Sequence, residues 1–223
     1  LLQQACEDRV VQDKILSGLA AGLETTGALD WHRGAHALVS LATVSPDLAA
    51  ALVEGAVRST IPFVRMYAAQ AAVRIGSTAV LDALAADPSP NVRTVAVQGL
   101  FGLGGHGADR VLVAQLDQDD PQLLLTVAEL LEGTPSADEA VGPLIAALAR
   151  VSQAQRETAR DHRMALLERI NEVGSVEQAA ELAPYLNDYD PVVAARAVGV
   201  LTDWTGEAPV ARPFPLQRRA LPS

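Results

Sequence analysis

The sequence predicts an all-α protein, an α-α superhelix in which about six antiparallel helical hairpins stack as a solenoid. Three observations predict it. An apolar helix opened by proline and closed by glycine recurs along the chain. Ala, Leu and Val dominate an apolar content of 49%, while aromatics make up only 4%, which suits close-packed helical layers. No window alternates apolar and polar residues for long, so a sheet is not expected.

The clearest copy runs from Asp87 to Gly104. Pro90 suits the first helical position, where no amide bond is lost. Val92, Val95, Ala96, Gly99, Leu100 and Leu103 follow at helical spacing and predict one apolar face. Gly104 is expected to end the helix in a left-handed conformation. Pro62 opens a second copy closed by Gly76, Pro121 one closed by Gly133, and Pro191 one closed by Gly206. A copy without the proline starts at Arg160, with Arg163, Leu166 and Ile170 in register and Gly174 as its stop. The starts lie 28, 31, 39 and 31 residues apart, the range of a helical-hairpin repeat with loops of variable length.

The other elements follow in order. Residues 1–21 read as an amphipathic helix with Val10, Val11, Ile15, Leu16 and Leu19 on its inner side, as a core face or end cap. Thr25 or Thr26 caps a second helix to Val44. Ser45, Pro46 and Asp47 supply a cap, a first-position proline and an acid for a helix to about Arg58. Ser77 or Thr78 starts a helix through Ala86, and Ala108 to Leu116 forms another. Ser136 and Glu139 match a capping box, and the helix they open should bend at Pro143. The polar stretch from Val151 to Arg160 accounts for the longest spacing. It reads as a solvated insertion, a helix extension or a projecting loop, and as a candidate for specific contacts. The last pair runs from Val176 to about Trp204. Residues 1–206 therefore read as the solenoid. Residues 207–223 hold Pro209, Pro213, Pro215 and Pro222 with Arg212, Arg218 and Arg219. Proline at this density favours extended chain, so they read as a linker or tail, strapped on the last repeat through Phe214 and Leu216.

Net charge is −10 and Lys14 is the only lysine. With the arginines scattered, nucleic acid and an anionic membrane surface are disfavoured as partners. No run reaches the ~18 apolar residues of a membrane span. Cys6 is alone, so no intramolecular disulfide is expected. Leu1 in place of Met reads as a piece of a longer protein, and the compartment stays open between cytoplasm and periplasm.

Several motifs invite a chemical reading. His32 and His36 are four apart on a helix and could share a metal, but Arg33 stands where a zinc protease needs glutamate, so no metal site is expected. Trp31 beside them reads as cover for the end of the core, with an exposed partner anchor as the alternative. Gly102, Gly104 and Gly107 fit a dinucleotide-loop spacing, yet a helix precedes them and no strand does, so they read as helix end and loop. His106 falls in that loop. The acids Asp117, Asp119 and Asp120, with Asp87, Asp188 and Asp190, read as helix-start charges that complement the dipole.

The segments Asp87-x-x-Pro90-x-Val92-Arg93 and Asp188-x-x-Pro191-x-Val193, each followed by an Ala/Leu helix, resemble the HEAT-repeat family, HEAT-like proteins and bilin lyase-type repeats included. Val141 to Ile145 and Leu182 to Leu186 look like the proline-containing first helices of such repeats. The resemblance covers most of residues 45–206, with residues 1–44 as degenerate capping copies. It implies that the turn aspartate and the Val-Arg arginine serve structure, so Arg65, Arg93 and Arg163 are not expected to be catalytic. Leu124 and Ala194 replace that arginine, and no continuous arginine ladder is expected.

Function follows from the fold it implies. The leading expectation is a non-enzymatic scaffold that binds a protein or peptide partner, or an adjacent domain, without a cofactor. Exposed positions of the second helices are its candidate contacts: Tyr67, Gln70 and Arg74 on one, Thr94, Val97, Gln98 and Phe101 on the next. The alternative is an accessory domain of an enzyme. The stretch Leu201-Thr-Asp-Trp-Thr-Gly206 and the proline-rich residues after it are similar to HEAT regions that precede a bacterial cyclophilin-type peptidyl-prolyl isomerase domain. A HEAT-like lyase or DNA glycosylase is a further alternative, and the acidic, aromatic-poor composition argues against the glycosylase.

Overall fold

The computed structural model describes residues 9–24, 30–153 and 159–209. These are all-helical, with no strand among them. The chain divides into two compact units between Leu112 and Val113.

The first unit contains α1 (Arg9–Glu24), α2 (Asp30–Val44), α3 (Pro46–Val57), α4 (Pro62–Ile75), α5 (Thr78–Ala85) and α6 (Pro90–Gly104), then a 3-10 turn, Gly105–Ala108. Helices α2, α4 and α6 lie side by side as one layer. A second layer covers it: α1 packs on α2, α3 on α2 and α4, and α5 on α4 and α6. The core between them is built from Leu38, Leu52, Val53, Val64, Leu81 and Val92 and from small residues, notably Ala68, Ala71 and Ala72 of α4. Short side chains let backbones approach. At Gly99 of α6 the approach is closest: a Cβ there would stand 2.5 Å from Val73 Cγ2.

The prolines open helices as expected. Pro46, Pro62, Pro90, Pro121 and Pro191 each occupy a first-turn position. Gly76 and Gly206 cap their helices with φ of 73° and 75°, the left-handed region that a side chain resists. The end of α6 corrects one expectation. Gly104 stays within the helix, and Gly105 takes the positive φ, 54°, so the stop falls one residue later. Two apolar assignments also fail. Leu103 is 41% exposed, in a last turn of α6 that is exposed from Gly102 to Gly104, and Val10 is 63% exposed at the start of α1.

The second unit holds α8 (Pro121–Leu130), α9 (Ala137–Gln153), α10 (Arg160–Val173), a short α11 (Ala179–Leu182) flanked by 3-10 turns, and α12 (Pro191–Thr205). The division between units falls inside α7 (Asp109–Gln115). Here α10 packs against α8 and α12, α9 covers α10, and α12 is covered by the 3-10 turn Ala183–Asn187. Pro143 lies within α9. Ser136 donates its N–H to Thr134 Oγ1, while Ser175 and Gln178 form a capping box before α11. The expected cap at Thr25 or Thr26, residues 154–158 of the insertion and the expected Phe214 and Leu216 strap lie outside the described residues.

One register recurs in both units. Arg65, three residues after its helix start, pairs with Asp87, three residues before the next proline, at 2.6 and 2.8 Å. Arg163 and Asp188 hold the same positions around Arg160 and Pro191, at 2.8 and 2.9 Å. Arg93 has that register too, but Gln118 stands where the next turn aspartate would. Arg93 donates instead to the carbonyls of Asp87 and Pro88.

Candidate functional site

Two rungs of rings join α2 to α4. Trp31 stacks on Phe63, with centroids 5.6 Å apart and planes within 15°. His36 meets Tyr67 edge-on at 4.7 Å, and the Tyr67 hydroxyl lies 3.0 Å from His36 Nε2. His32 stacks on Trp31 at 3.5 Å. Helical spacing sets this arrangement. His32 and His36, and likewise Phe63 and Tyr67, are four residues apart and share a helix face. The opposite face of α4 is committed to the core through Val64, Ala68, Ala71 and Ala72. Phe63 is left 50% exposed, while His32 and His36 are exposed and Trp31 and Tyr67 are half-buried.

The rungs gather Trp31, Phe63 and Tyr67 in a chain that has only three Phe, three Tyr and two Trp. They offer flat apolar faces, which also attract cations, beside imidazole and phenol groups that exchange hydrogen bonds. Of the residues expected to make contacts, Tyr67 belongs to a rung, and Gln70 and Arg74 continue its stripe along α4, half-buried and exposed respectively. On α6, Gln98 is exposed and Thr94 donates its hydroxyl to Pro90 O at 3.0 Å. Phe101 is half-buried and meets His106 edge-on at 5.4 Å. Val97 is a correction. It is fully buried, because α6 is flanked by both α4 and α5 and buries a wider arc than a single stripe. Phe63, His32 and His36 were not among the expected contacts. The signal that could have found Phe63 is its place opposite the alanine face of α4.

His106 also contacts Asp109, with Nδ1 3.1 Å from Oδ1 of a carboxylate that is 2% exposed. That pairing ties the 3-10 turn to the start of α7. Among the described residues, no group of three or more His, Cys, Asp or Glu could hold a metal. No helix of the described residues is long and apolar enough to cross a membrane.

Charged groups in the interior serve the frame. Burial raises the affinity of the Asp87 carboxyl for its proton, but hydrogen bonds from Arg65 and the Ser89 N–H and the charges of Arg65 and Arg93 outweigh it, so its pKa is lowered. The hydrogen bond from Arg160 lowers that of Asp190 against its burial. Arg163 is fully buried, paired with Asp188, 3.7 Å from Asp190, and stacked over Tyr189 at 4.5 Å. Burial lowers the pKa of Arg169, which donates to Ala128 O at 2.9 Å. The second unit also has a hollow of about 350 Å³ lined by Val113, Leu116, Pro143 and Arg150. Arg150 is committed there to the carbonyls of Leu116 and Gln118, which closes the end of α7.

No family model matches the chain, and no curated protein does. Two crystal structures of engineered proteins are similar to it. One is 16% identical with a TM-score of 0.50, covering 86% of this chain and 99% of the other. The second is 17% identical with a TM-score of 0.44, covering 86% and 97%. At this identity the first likeness concerns the fold alone: an all-helical arrangement, shared along most of both chains.

Proposed function

We propose that this chain is a non-catalytic binding module of HEAT-like helical hairpins, and that it holds a protein or peptide partner on the ring-bearing face of α2 and α4. The observation that carries the reading is the pair of rungs, Trp31–Phe63 and His36–Tyr67, at the surface of an aromatic-poor chain. Aromatic side chains are enriched where proteins bind one another, since they bury much area and lose little rotamer freedom. Gln70, Arg74 and Gln98 extend the same layer as its polar margin. The repeat reading is supported by the common register of Arg65–Asp87 and Arg163–Asp188, each tying one proline-type helix start to the turn before the next.

The test places a photo-cross-linking phenylalanine analogue at Phe63 and, separately, at Val176, an exposed apolar residue of the other unit. In lysate of the source cells, a discrete cross-linked product is expected from position 63 and not from 176. It should fade when Trp31 is replaced by Ala. Equal labelling at both positions would overturn the assignment.

A further inference from the structure

The two layers of the first unit differ in charge. Helices α2, α4 and α6, the layer that bears the rings, contain Arg33, Arg65, Arg74 and Arg93 and a single acid, Asp30. The covering helices α1, α3 and α5 contain Asp13, Glu24, Asp47, Glu54 and Asp82 against Arg9 and Lys14. The ring-bearing layer is therefore cationic in a chain whose net charge is −10. Two of its arginines are spent on the frame: Arg65 on Asp87, and Arg93 on the carbonyls of Asp87 and Pro88. Arg33 and Arg74 are exposed and take part in no ion pair among the described residues. Both lie beside the rungs. Arg33 is three residues before His36 and its surface neighbour on α2, and Arg74 follows Phe63, Tyr67 and Gln70 on one stripe of α4.

We propose that the ring-bearing face of α2 and α4 binds an acidic segment of a partner protein, in which an apolar residue is flanked by carboxylates. The inference rests on the reading of the rungs as a recognition surface and names the chemistry of their occupant. The apolar residue packs on Trp31 and Phe63, whose flat rings offer area at little loss of side-chain freedom. One carboxylate pairs with Arg33 near that contact. A second pairs with Arg74, eleven residues beyond Phe63. That is about 16 Å along the helix, which an extended chain covers in about five residues. A guanidinium grips a carboxylate through two parallel hydrogen bonds, and the positive edges of the rings favour the same charge. Gln70 and Gln98 add amide donors at the margin. A cationic segment would meet Arg33 and Arg74 as like charges. The acids of α1, α3 and α5 lie one helix layer behind, at about 8–10 Å between axes, and a Debye length of ~8 Å at physiological salt screens them from this face. A nucleic-acid strand fits less well, because its charge continues past two exposed arginines into the field of an acidic chain.

Fluorescence anisotropy on the full 223-residue chain tests it, with a labelled peptide that carries glutamates on both sides of a Leu-Leu centre as the probe. The same peptide with glutamine or with lysine in place of glutamate, and a labelled oligothymidylate, are compared with it. The glutamate peptide should bind about tenfold tighter than the glutamine peptide, as two exposed ion pairs allow. The lysine peptide and the oligothymidylate should bind more weakly still. Raising salt from about 20 to about 300 mM should weaken the glutamate peptide and leave the glutamine peptide nearly unchanged. Arg33→Gln and Arg74→Gln should each weaken the glutamate peptide by about two- to fivefold. Both residues are exposed, so thermal melts by circular dichroism should not move. No saturable binding of the glutamate peptide, no preference over glutamine, or full affinity in the double variant overturns the proposal. Tighter binding of the oligothymidylate overturns it in favour of nucleic acid. If the proposal falls while position 63 still cross-links to an outside protein, the recognition surface stands and only the acidic chemistry of its occupant is wrong. If cross-linking is lost as well, both fall.

Discussion

Asp87→Ala tests whether the arginine–aspartate register holds one helical pair to the next. The carboxylate makes three contacts. Arg65 Nε and Nη2 donate to it at 2.6 and 2.8 Å, and the Ser89 N–H donates at 2.8 Å. The side chains are 5% and 11% exposed for Asp87 and Arg65. Deletion leaves the Arg65 guanidinium its hydrogen bond to the Ser59 carbonyl, at 2.8 Å, and no carboxylate. Stranding one member of a buried pair costs about 3–5 kcal/mol. Water can reach Arg65 through its exposed edge, so the lower end applies, about 3 kcal/mol. For a chain of this size that lowers the melting temperature by about 6–12 °C. Asp87→Asn should cost less, because an amide oxygen still accepts from Ser89. Urea titration and thermal melts followed by far-UV circular dichroism give the global value. Hydrogen exchange at the first turn of α6 gives the local one, which matters where parts of a structure open separately. A loss below about 0.5 kcal/mol for Asp87→Ala, with unchanged exchange, would refute the linking role.

Further outcomes follow from the same contacts. Asp87 and Asp190 have lowered pKa values, so their stabilisation is present above the unfolded carboxyl value of about 3.9 and is lost as pH falls through the lower folded value. The double variant Asp87→Asn with Asp190→Asn should flatten stability against pH over that acidic window, measured by urea midpoints between about pH 2 and 5. Gly99→Ala would place a Cβ 2.5 Å from Val73 Cγ2 and 3.1 Å from Leu81 Cδ2, and should cost about 1–3 kcal/mol. Adding Val73→Ala should recover part of that loss, whereas a strained backbone would not respond. Gly174→Ala would push on the Trp204 ring, 2.7 Å away, and should shift tryptophan emission as well as stability. Phe63→Ala should change the melting temperature little, within about 0.5 kcal/mol, since half of the ring is already in water.

Much of the fold was written in local chemistry. A proline fixes φ and gives up a donor that the first helical turn does not need, so Pro62, Pro90, Pro121 and Pro191 mark starts wherever they lie in space. A glycine at positive φ marks an end, as at Gly76 and Gly206. Such signals act within one turn of helix and survive translation from sequence to structure almost unchanged. Where they compete, tertiary contacts decide. Several glycines follow Leu100, and the stop fell at Gly105 rather than Gly104.

The candidate site was legible only in pieces. Tyr67 could be placed on an outward stripe of its helix, and Trp31 could be weighed as an anchor, because periodicity assigns a face. Periodicity says nothing about which neighbour meets that face. Val97 was buried by a second flanking helix that its own sequence window does not contain.

The sequence by itself determined that this chain is helical and where its proline-opened helices start, since these depend on interactions within a few residues. Only the tertiary structure decided that Trp31 stacks on Phe63, that His36 meets Tyr67, and that Arg65 reaches Asp87, 22 residues away. Those pairings depend on which helices lie side by side, and that order is set by packing summed over whole faces rather than by any local signal.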